Sequence, residues 1–130
     1  MRILVVTAIV LFPFMAVAQT APTASTPAPP ADFPADASAP PATALRDRLA
    51  GKVIRAQPVQ GPGWRIDMKG SGWAFIDLTN GGRDTGRWRT EDGKLCFDWQ
   101  RFPSSCSEVR VAGERVLLKR TNGEIVAIAE

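Results

Sequence analysis

The spacing of apolar residues changes beyond Gly51. Residues 44–50 read ALRDRLA, in which Leu45 and Leu49 lie four positions apart and share one face of a helix. Thr43 is the predicted N-cap of this helix, and Gly51 is its predicted stop. Beyond Gly51, apolar and polar residues alternate and turn dipeptides recur about every 8 to 12 residues, which is typical of an all-β sandwich or barrel. The pattern therefore predicts one short helix followed by strands.

The alternating region divides into eight predicted strands joined by short turns. They are placed near residues 52–58, 64–69, 73–79, 84–90, 94–99, 106–111, 115–121 and 124–129. An open meander of this size would leave two unpaired edges, so we expect the sheet to close on itself. The predicted fold is all-β: a small antiparallel up-and-down meander that forms a lipocalin-like barrel or half-barrel.

Three turns predict how the central strands pair. We take residues 70–72 and 80–82 as three-residue hairpin loops and Asp92-Gly93 as a two-residue turn. The resulting opposed pairs are Lys69 with Trp73, Met68 with Ala74, Ile66 with Ile76, Trp64 with Leu78, Ala74 with Trp88, Phe75 with Arg87, Trp88 with Phe97, Arg87 with Asp98 and Arg89 with Cys96. All three turns place the same alternate residues on one apolar face, and a one-residue slip would reverse this pattern. That face is the predicted core.

The two cysteines, Cys96 and Cys106, are ten residues apart. In an exported chain such a pair is typical of a disulfide, and pairing them across a hairpin also places Lys94 opposite Glu108, a favourable charge pair. Their separation excludes the C-x-x-C motif of redox enzymes. The predicted disulfide closes a short loop and would contribute about 2 to 3 kcal/mol to stability.

The last hairpin is predicted from Asn122-Gly123, which favours a two-residue turn. This turn would place Leu118 opposite Ala127 and Leu117 opposite Ile128. Both faces of the hairpin carry apolar residues, so the pattern leaves open which face is inside.

Composition divides the chain into three parts. Residues 1–18 combine Arg2, an apolar run and an Ala16-Val17-Ala18 cleavage pattern, which is the layout of a secretory signal peptide. The run is shorter than the roughly 20 apolar residues that span a bilayer, so no stable membrane insertion is expected after cleavage. Residues 19–43 are rich in Ala and Pro and are predicted to form a disordered spacer. Residues 44–130 form the predicted β domain of a periplasmic or secreted protein.

Charge and composition exclude several kinds of catalytic site. The chain has 16 Lys and Arg, 13 Asp and Glu, and no His. Without His, it has neither a Ser-His-Asp nor a Cys-His nucleophile arrangement, and no His general base. The carboxylates Asp67, Asp77, Asp84 and Asp98 mostly fall on the predicted solvent face or at turns beside basic residues, where ion pairing keeps them charged. We therefore expect no enzymatic activity, no cofactor and no metal site.

Several motifs of the second half of the chain form a recurring pattern. They are Gly86-x-Trp88, Asp92-Gly93, Leu95-Cys96-Phe97, Cys106 and the closing Asn122-Gly123. In this order they resemble small exported bacterial β-domain proteins of unknown function, and the resemblance extends from residue 70 onward. It implies an envelope or periplasmic β domain, and it carries over no catalytic residue.

A candidate binding surface follows from the predicted registers. Trp73 and Phe75 fall on the face opposite the core, beside Arg87 and Arg89. Aromatic and Arg side chains dominate binding hot spots, and Arg also stacks on aromatic rings. These four residues are the candidate binding site. Alternatively, the helix or the spacer covers both rings and forms a second small core.

These features favour a monomeric, non-enzymatic binding or structural module whose partner is an envelope protein or an anionic polymer. Nucleic acid is not expected, because the chain is predicted to be exported and its net positive charge is modest. Two alternatives are an inhibitor of an envelope or secreted protease or lysozyme, and a carrier of a small molecule or lipid. Trp64, Trp88 and Phe97 are expected to fill the barrel, and a structure without an internal cavity above roughly 300 Å³ would exclude the carrier.

Overall fold

The structure is a computed structural model that describes residues 32–130. Its elements in chain order are α1 (Ala42–Leu49), β1 (Val53–Ala56), β2 (Trp64–Met68), β3 (Trp73–Leu78), β4 (Arg83–Glu91), β5 (Lys94–Trp99), β6 (Ser105–Ala112), β7 (Arg115–Lys119) and β8 (Ile125–Ile128). Each strand lies beside the next in one antiparallel sheet. β1 and β8 meet where Arg55 and Ala129 exchange two backbone hydrogen bonds of 2.8 Å. The predicted all-β meander is confirmed, and it forms a nearly closed barrel.

Two of the predicted hairpin registers are confirmed. β2 and β3 pair Ile66 with Ile76, and β4 and β5 pair Trp88 with Phe97. All four side chains are buried in the barrel core. The apolar face that the alternation predicted is therefore the inner face of the barrel.

The predicted disulfide is also present. Cys96 and Cys106 lie directly opposite each other on β5 and β6, with their Cα atoms 4.0 Å apart, and their sulfurs are bonded. In the same register Lys94 lies opposite Glu108, as predicted. The bond joins neighbouring strands on the outer side of the barrel.

The β3–β4 register differs from the prediction by two residues. Trp73 lies opposite Arg87, and Phe75 lies opposite Thr85. The hairpin loop is 79–81 instead of 80–82, because Gly81 adopts the left-handed conformation at φ 92° and donates its N–H to the carbonyl of Leu78. A shift of two residues keeps every side chain on its predicted face.

The predicted β7–β8 register is wrong by one residue. Leu118 lies opposite Val126, and the loop contains three residues, 121–123, instead of two. Gly123 closes the loop at φ 86° and donates its N–H to the Arg120 carbonyl at 2.9 Å. The side-chain oxygen of Asn122 accepts a hydrogen bond from the backbone N–H of Glu124, just before β8, and the expected two-residue turn does not form. Leu118 and Val126 face the core, which answers the question that the sequence left open.

Helix α1 covers one end of the barrel. Leu45 and Leu49 insert into the core and are almost completely buried, and Gly51 follows the helix at φ 77°, as predicted. The predicted N-cap is wrong, because Thr43 lies inside the helix and Pro41 precedes it. The first backbone N–H, that of Ala42, donates instead to the carboxylate of Asp92 at 2.9 Å. A side chain from the β4–β5 turn therefore replaces the local cap.

The ordered domain begins before residue 44, where the sequence placed the end of the spacer. Ser38 and Val111 exchange backbone hydrogen bonds of 2.9 and 2.8 Å. β6 extends beyond the residues that β5 pairs, so Ser38 satisfies backbone groups that would otherwise lack partners. Phe33 packs under the cations of Arg110 and Lys119, 5.2 and 5.9 Å from its ring centre. Residues 32–43 thus belong to the folded unit.

The predicted signal peptide, residues 1–18, and residues 19–31 of the predicted spacer lie outside the described residues. In residues 32–130, no helix has the length and apolar character required to cross a membrane.

Gly86 allows two strands to pack closely inside the barrel. It lies opposite Trp99, and a Cβ atom at this position would overlap the backbone oxygen of Asp98 and come within 2.8 Å of the Trp99 ring. The Trp99 ring stacks on Phe97 with ring centres 4.9 Å apart. A side chain at residue 86 would therefore displace this aromatic pair.

We expect Gly86→Ala to lower the free energy of unfolding by about 1 to 3 kcal/mol, the usual cost of overpacking a core. Chemical denaturation measures this change. The matched control is Gly70→Ala in the β2–β3 loop, where a Cβ atom has no neighbour within 4 Å. The control should change stability by less than about 0.5 kcal/mol, and equal effects of the two variants would contradict the packing role of Gly86.

Candidate functional site

The strands place Trp73 and Phe75 on the outer face of the barrel with 39% and 42% of their surface exposed. The guanidinium of Arg87 lies over the Trp73 ring, 4.8 Å from its centre, because the two residues are directly opposite on β3 and β4. We call Trp73, Phe75 and Arg87 the outer aromatic patch. The predicted position of these three side chains on the outer face is confirmed.

Arg89 is predicted to belong with them but is held in ion pairs. Its guanidinium lies 2.8 Å from Asp98 and 4.0 Å from Glu91. Asp98 is directly opposite Arg87 but pairs with Arg89. In residues 32–130, no carboxylate lies within 4.0 Å of the Arg87 guanidinium. Arg87 therefore presents an uncompensated charge beside Trp73, whereas the charge of Arg89 is balanced.

The other cations around the patch are also held in ion pairs. Lys69 pairs with Asp67 at 2.8 Å. Arg65 and Arg83 both pair with Asp77, at 3.6 and 2.8 Å. Arg65 and Arg83 share one carboxylate, so this face keeps a small excess of positive charge. Within it, the patch combines two exposed rings with one cation that has no ion pair in the described chain.

Neither α1 nor residues 32–41 cover the patch. Arg46 of the helix stacks on the buried Trp88, 4.9 Å from its ring centre, and donates a hydrogen bond to the Gly70 carbonyl. The segment before the helix packs along β6 and β7, where Ser38 meets Val111. In the described chain, the helix and this segment therefore do not form a second core over the rings.

A second concave site lies inside the barrel mouth. Trp64, Phe97, Trp99, Ser105 and Ser107 line a cavity of about 320 Å³. Of the three rings predicted to fill the barrel, Trp88 and Phe97 are buried in the core and Trp64 packs against it, and the remaining space lies at the mouth. A cavity of this size does not exclude the carrier alternative.

Asp84 is a buried carboxylate on the inner face of β4 with 1% of its side chain exposed. It accepts hydrogen bonds of 2.8 Å from the backbone N–H groups of Thr85, Arg101 and Phe102. Burial raises the pKa of Asp84, but the hydrogen bonds from Phe102, Arg101 and Thr85 outweigh this effect and lower it below the ordinary 3.8. The carboxylate thereby fixes the β5–β6 loop beside the barrel mouth.

The sequence reasoning missed this role, since it grouped Asp84 with solvent-facing carboxylates. The alternation along β4 could have indicated it. Asp84 is two residues from Gly86 and four from Trp88, so it lies on the same inward face as both. An inward carboxylate requires several hydrogen-bond donors, and the backbone of the β5–β6 loop supplies them.

One grouping of metal-ligand types occurs in the described part of the chain: Glu91, Cys96 and Cys106 lie within 4.8 Å of one another. Both sulfurs are in the disulfide and cannot act as thiolate ligands.

Comparisons with protein-family models, curated protein sequences and solved structures find no match.

We expect Asp84→Asn to lower the melting temperature at pH 7 by about 5 °C or more, because an amide has one acceptor oxygen where the carboxylate uses two. Since the folded pKa of Asp84 is lowered, its stabilising contribution is present above the ordinary carboxyl pKa and is lost as the pH falls. Melting curves from pH 7 to pH 2 should therefore converge for the variant and the wild type.

Asp77→Asn is the matched control, because Asp77 forms only exposed ion pairs. It should change the melting temperature little at any pH. A gap between Asp84→Asn and wild type that persists at low pH would show that the Asp84 charge does not stabilise the loop.

We also expect Trp73→Ala to change the free energy of unfolding by less than about 1 kcal/mol, because the ring lies on the outer face. Trp88→Ala is the contrasting variant, and it should cost about 3 to 5 kcal/mol because that ring is 3% exposed. Urea denaturation measures both changes. A cost of 3 kcal/mol or more for Trp73→Ala would identify Trp73 as a core residue and remove it from the candidate site.

Proposed function

We propose that the protein is an exported, non-enzymatic binding module that recognises a protein partner through the outer aromatic patch. The observation that carries this proposal is the exposure of Trp73 and Phe75 on the same face as Arg87, a cation without an ion pair in the described chain. These two partly exposed rings lie on the outside of the barrel wall and do not contribute to the core. Aromatic and Arg side chains are the residue types that dominate the energetics of protein interfaces.

The balance of charge around the patch favours a protein over an anionic polymer. A polyanion would be held by several available cations, but Lys69, Arg65 and Arg83 are paired with carboxylates. A single free guanidinium stacked on the Trp73 ring fits one carboxylate set in an apolar surface. The expected partner therefore presents an acidic side chain surrounded by apolar residues.

Export is supported by independent features. The chain begins with the predicted signal peptide, and its two cysteines form a disulfide, which persists mainly in oxidising compartments. The resemblance to small exported β-domain proteins favours the same location. A periplasmic or secreted partner follows from this assignment.

A non-catalytic role fits the acidic residues around the patch. The carboxylates of Asp67, Asp77 and Asp98 are paired with basic side chains. The buried carboxylate, Asp84, is fully engaged by backbone donors. These groups stabilise the fold, and no His is present to act as a general base.

The experiment compares the mature protein with Trp73→Ala, Phe75→Ala and Arg87→Gln in capture from a periplasmic extract. A captured protein is then purified and its Kd is measured by calorimetry. Each variant should weaken binding by about tenfold or more, since hot-spot truncations cost 2 kcal/mol or more. A captured protease or lysozyme would also be assayed for inhibition, which tests the inhibitor alternative directly.

Two controls alter exposed residues away from the patch. Arg115→Gln removes a guanidinium at the start of β7, and Val59→Ala truncates a side chain that is 93% exposed. Both should bind the partner as the wild type does. Equal affinity of the patch variants and the controls would refute the proposed surface.

A further inference from the structure

The two ends of the barrel are built differently. In an up-and-down meander successive turns lie at opposite ends, so the β2–β3, β4–β5 and β6–β7 turns share one end. Helix α1 covers that end, where Arg46 and Arg48 bond the carbonyls of Gly70 and Glu114. The described chain places no helix over the other end, and the cavity of about 320 Å³ lies there.

The walls of this cavity are aromatic. The rings of Phe97 and Trp99 stack on each other with planes 8° apart, so each covers one face of the other. Both rings and Trp64 line the cavity. Trp64 and Trp99 are only half-buried although they point inward. Flat rings of this kind bind flat apolar molecules by stacking.

The polar part of the cavity comes from β6. Its inward positions nearest the mouth are Ser105 and Ser107, opposite Phe97 and Leu95, whereas the next inward position is the buried Val109. Large apolar residues at the two serine positions would fill the space. In residues 32–130, neither serine hydroxyl takes part in a hydrogen bond. Both hydroxyls are therefore available to a ligand.

The rim of the cavity carries an ion pair between Arg120 and Glu124. Arg120 donates to the Gln60 carbonyl at 2.6 Å and pairs with Glu124 at 2.7 Å. The backbone N–H of Val59 and the Arg120 guanidinium hold the pKa of Glu124 below its ordinary value, so the pair stays ionised. A balanced rim does not attract a charged ligand.

We propose that the barrel mouth binds one small, uncharged amphipathic molecule, with a flat apolar body against Phe97 and Trp99 and a hydrogen-bonding end at Ser105 and Ser107. A volume of about 320 Å³ equals the space of roughly ten water molecules, so the ligand has on the order of ten to fifteen non-hydrogen atoms. This site is separate from the outer aromatic patch, and it adds a second function to the proposed one.

The test is a titration of the mature protein with naphthol in which two-dimensional amide NMR spectra are recorded at each step. Naphthol is flat and uncharged, and it has one hydroxyl group. Saturable shifts should cluster at Ser105, Ser107 and Thr121. Ser105→Leu and Ser107→Leu should each weaken binding about tenfold or more by filling the cavity, with no loss of stability.

Three comparisons decide the outcome. Glu108→Leu adds the same side chain to the outer face of β6 and should leave naphthol binding unchanged. Trp73→Ala should also leave it unchanged, which separates this test from that of the outer aromatic patch. Naphthalenesulfonate, which carries a charge, should bind at least about tenfold more weakly than naphthol.

Several results would overturn the inference. They are the absence of saturable shifts in the wild-type protein, shifts centred on the Trp73 face, and equal binding of naphthol and naphthalenesulfonate. If the leucine variants fail to fold, the wild-type shift map and the Glu108→Leu titration still give the answer.

Discussion

The narrow interior of an eight-stranded barrel is the constraint on which the rest of the structure depends. Every second side chain of each strand must fit inside, and the strands can approach closely only where those side chains are small. Gly86 meets this demand by leaving room for Trp99. Leu45 and Leu49 of the helix complete the core at one end, and small serine side chains leave space at the other. Stability and a ligand-sized cavity thus arise from the same packing rule.

Charge pairing on the outside of the barrel distinguishes one cation from its neighbours. Arg87 and Arg89 are two residues apart on β4, and Asp98 lies within reach of both. Asp98 pairs with Arg89, while Arg87 lies on the Trp73 ring. A stacked guanidinium is worth only about 0.5 to 1 kcal/mol at an exposed site, so it can leave the ring for a better partner. This property suits a recognition surface better than a structural one.

The local sequence pattern predicted most of the fold, because the residues that determine each strand and each turn are close together in the chain. Alternation assigned Trp73 and Phe75 to the outer face, and the cysteine spacing identified the disulfide. The two incorrect registers both arose at glycine-containing loops, where several residues could take the left-handed position. At the β3–β4 loop Gly81 adopts it, and at the β7–β8 loop Gly123 does. The two-residue error at β3–β4 kept every side chain on its predicted face. The one-residue error at β7–β8 paired residues of β7 with β8 residues of the opposite face.

Spacings of a few residues were enough to predict the strands, the sorting of side chains onto two faces and the cysteine pair. The folded barrel was needed to show that Asp92 caps a helix fifty residues earlier in the chain and that Asp84 holds the β5–β6 loop. It also decided that Arg89 is neutralised and that the barrel stays open at the end away from α1. Each of these features requires contact between separate elements. The local periodicity of the sequence does not show how the curled sheet brings those elements together.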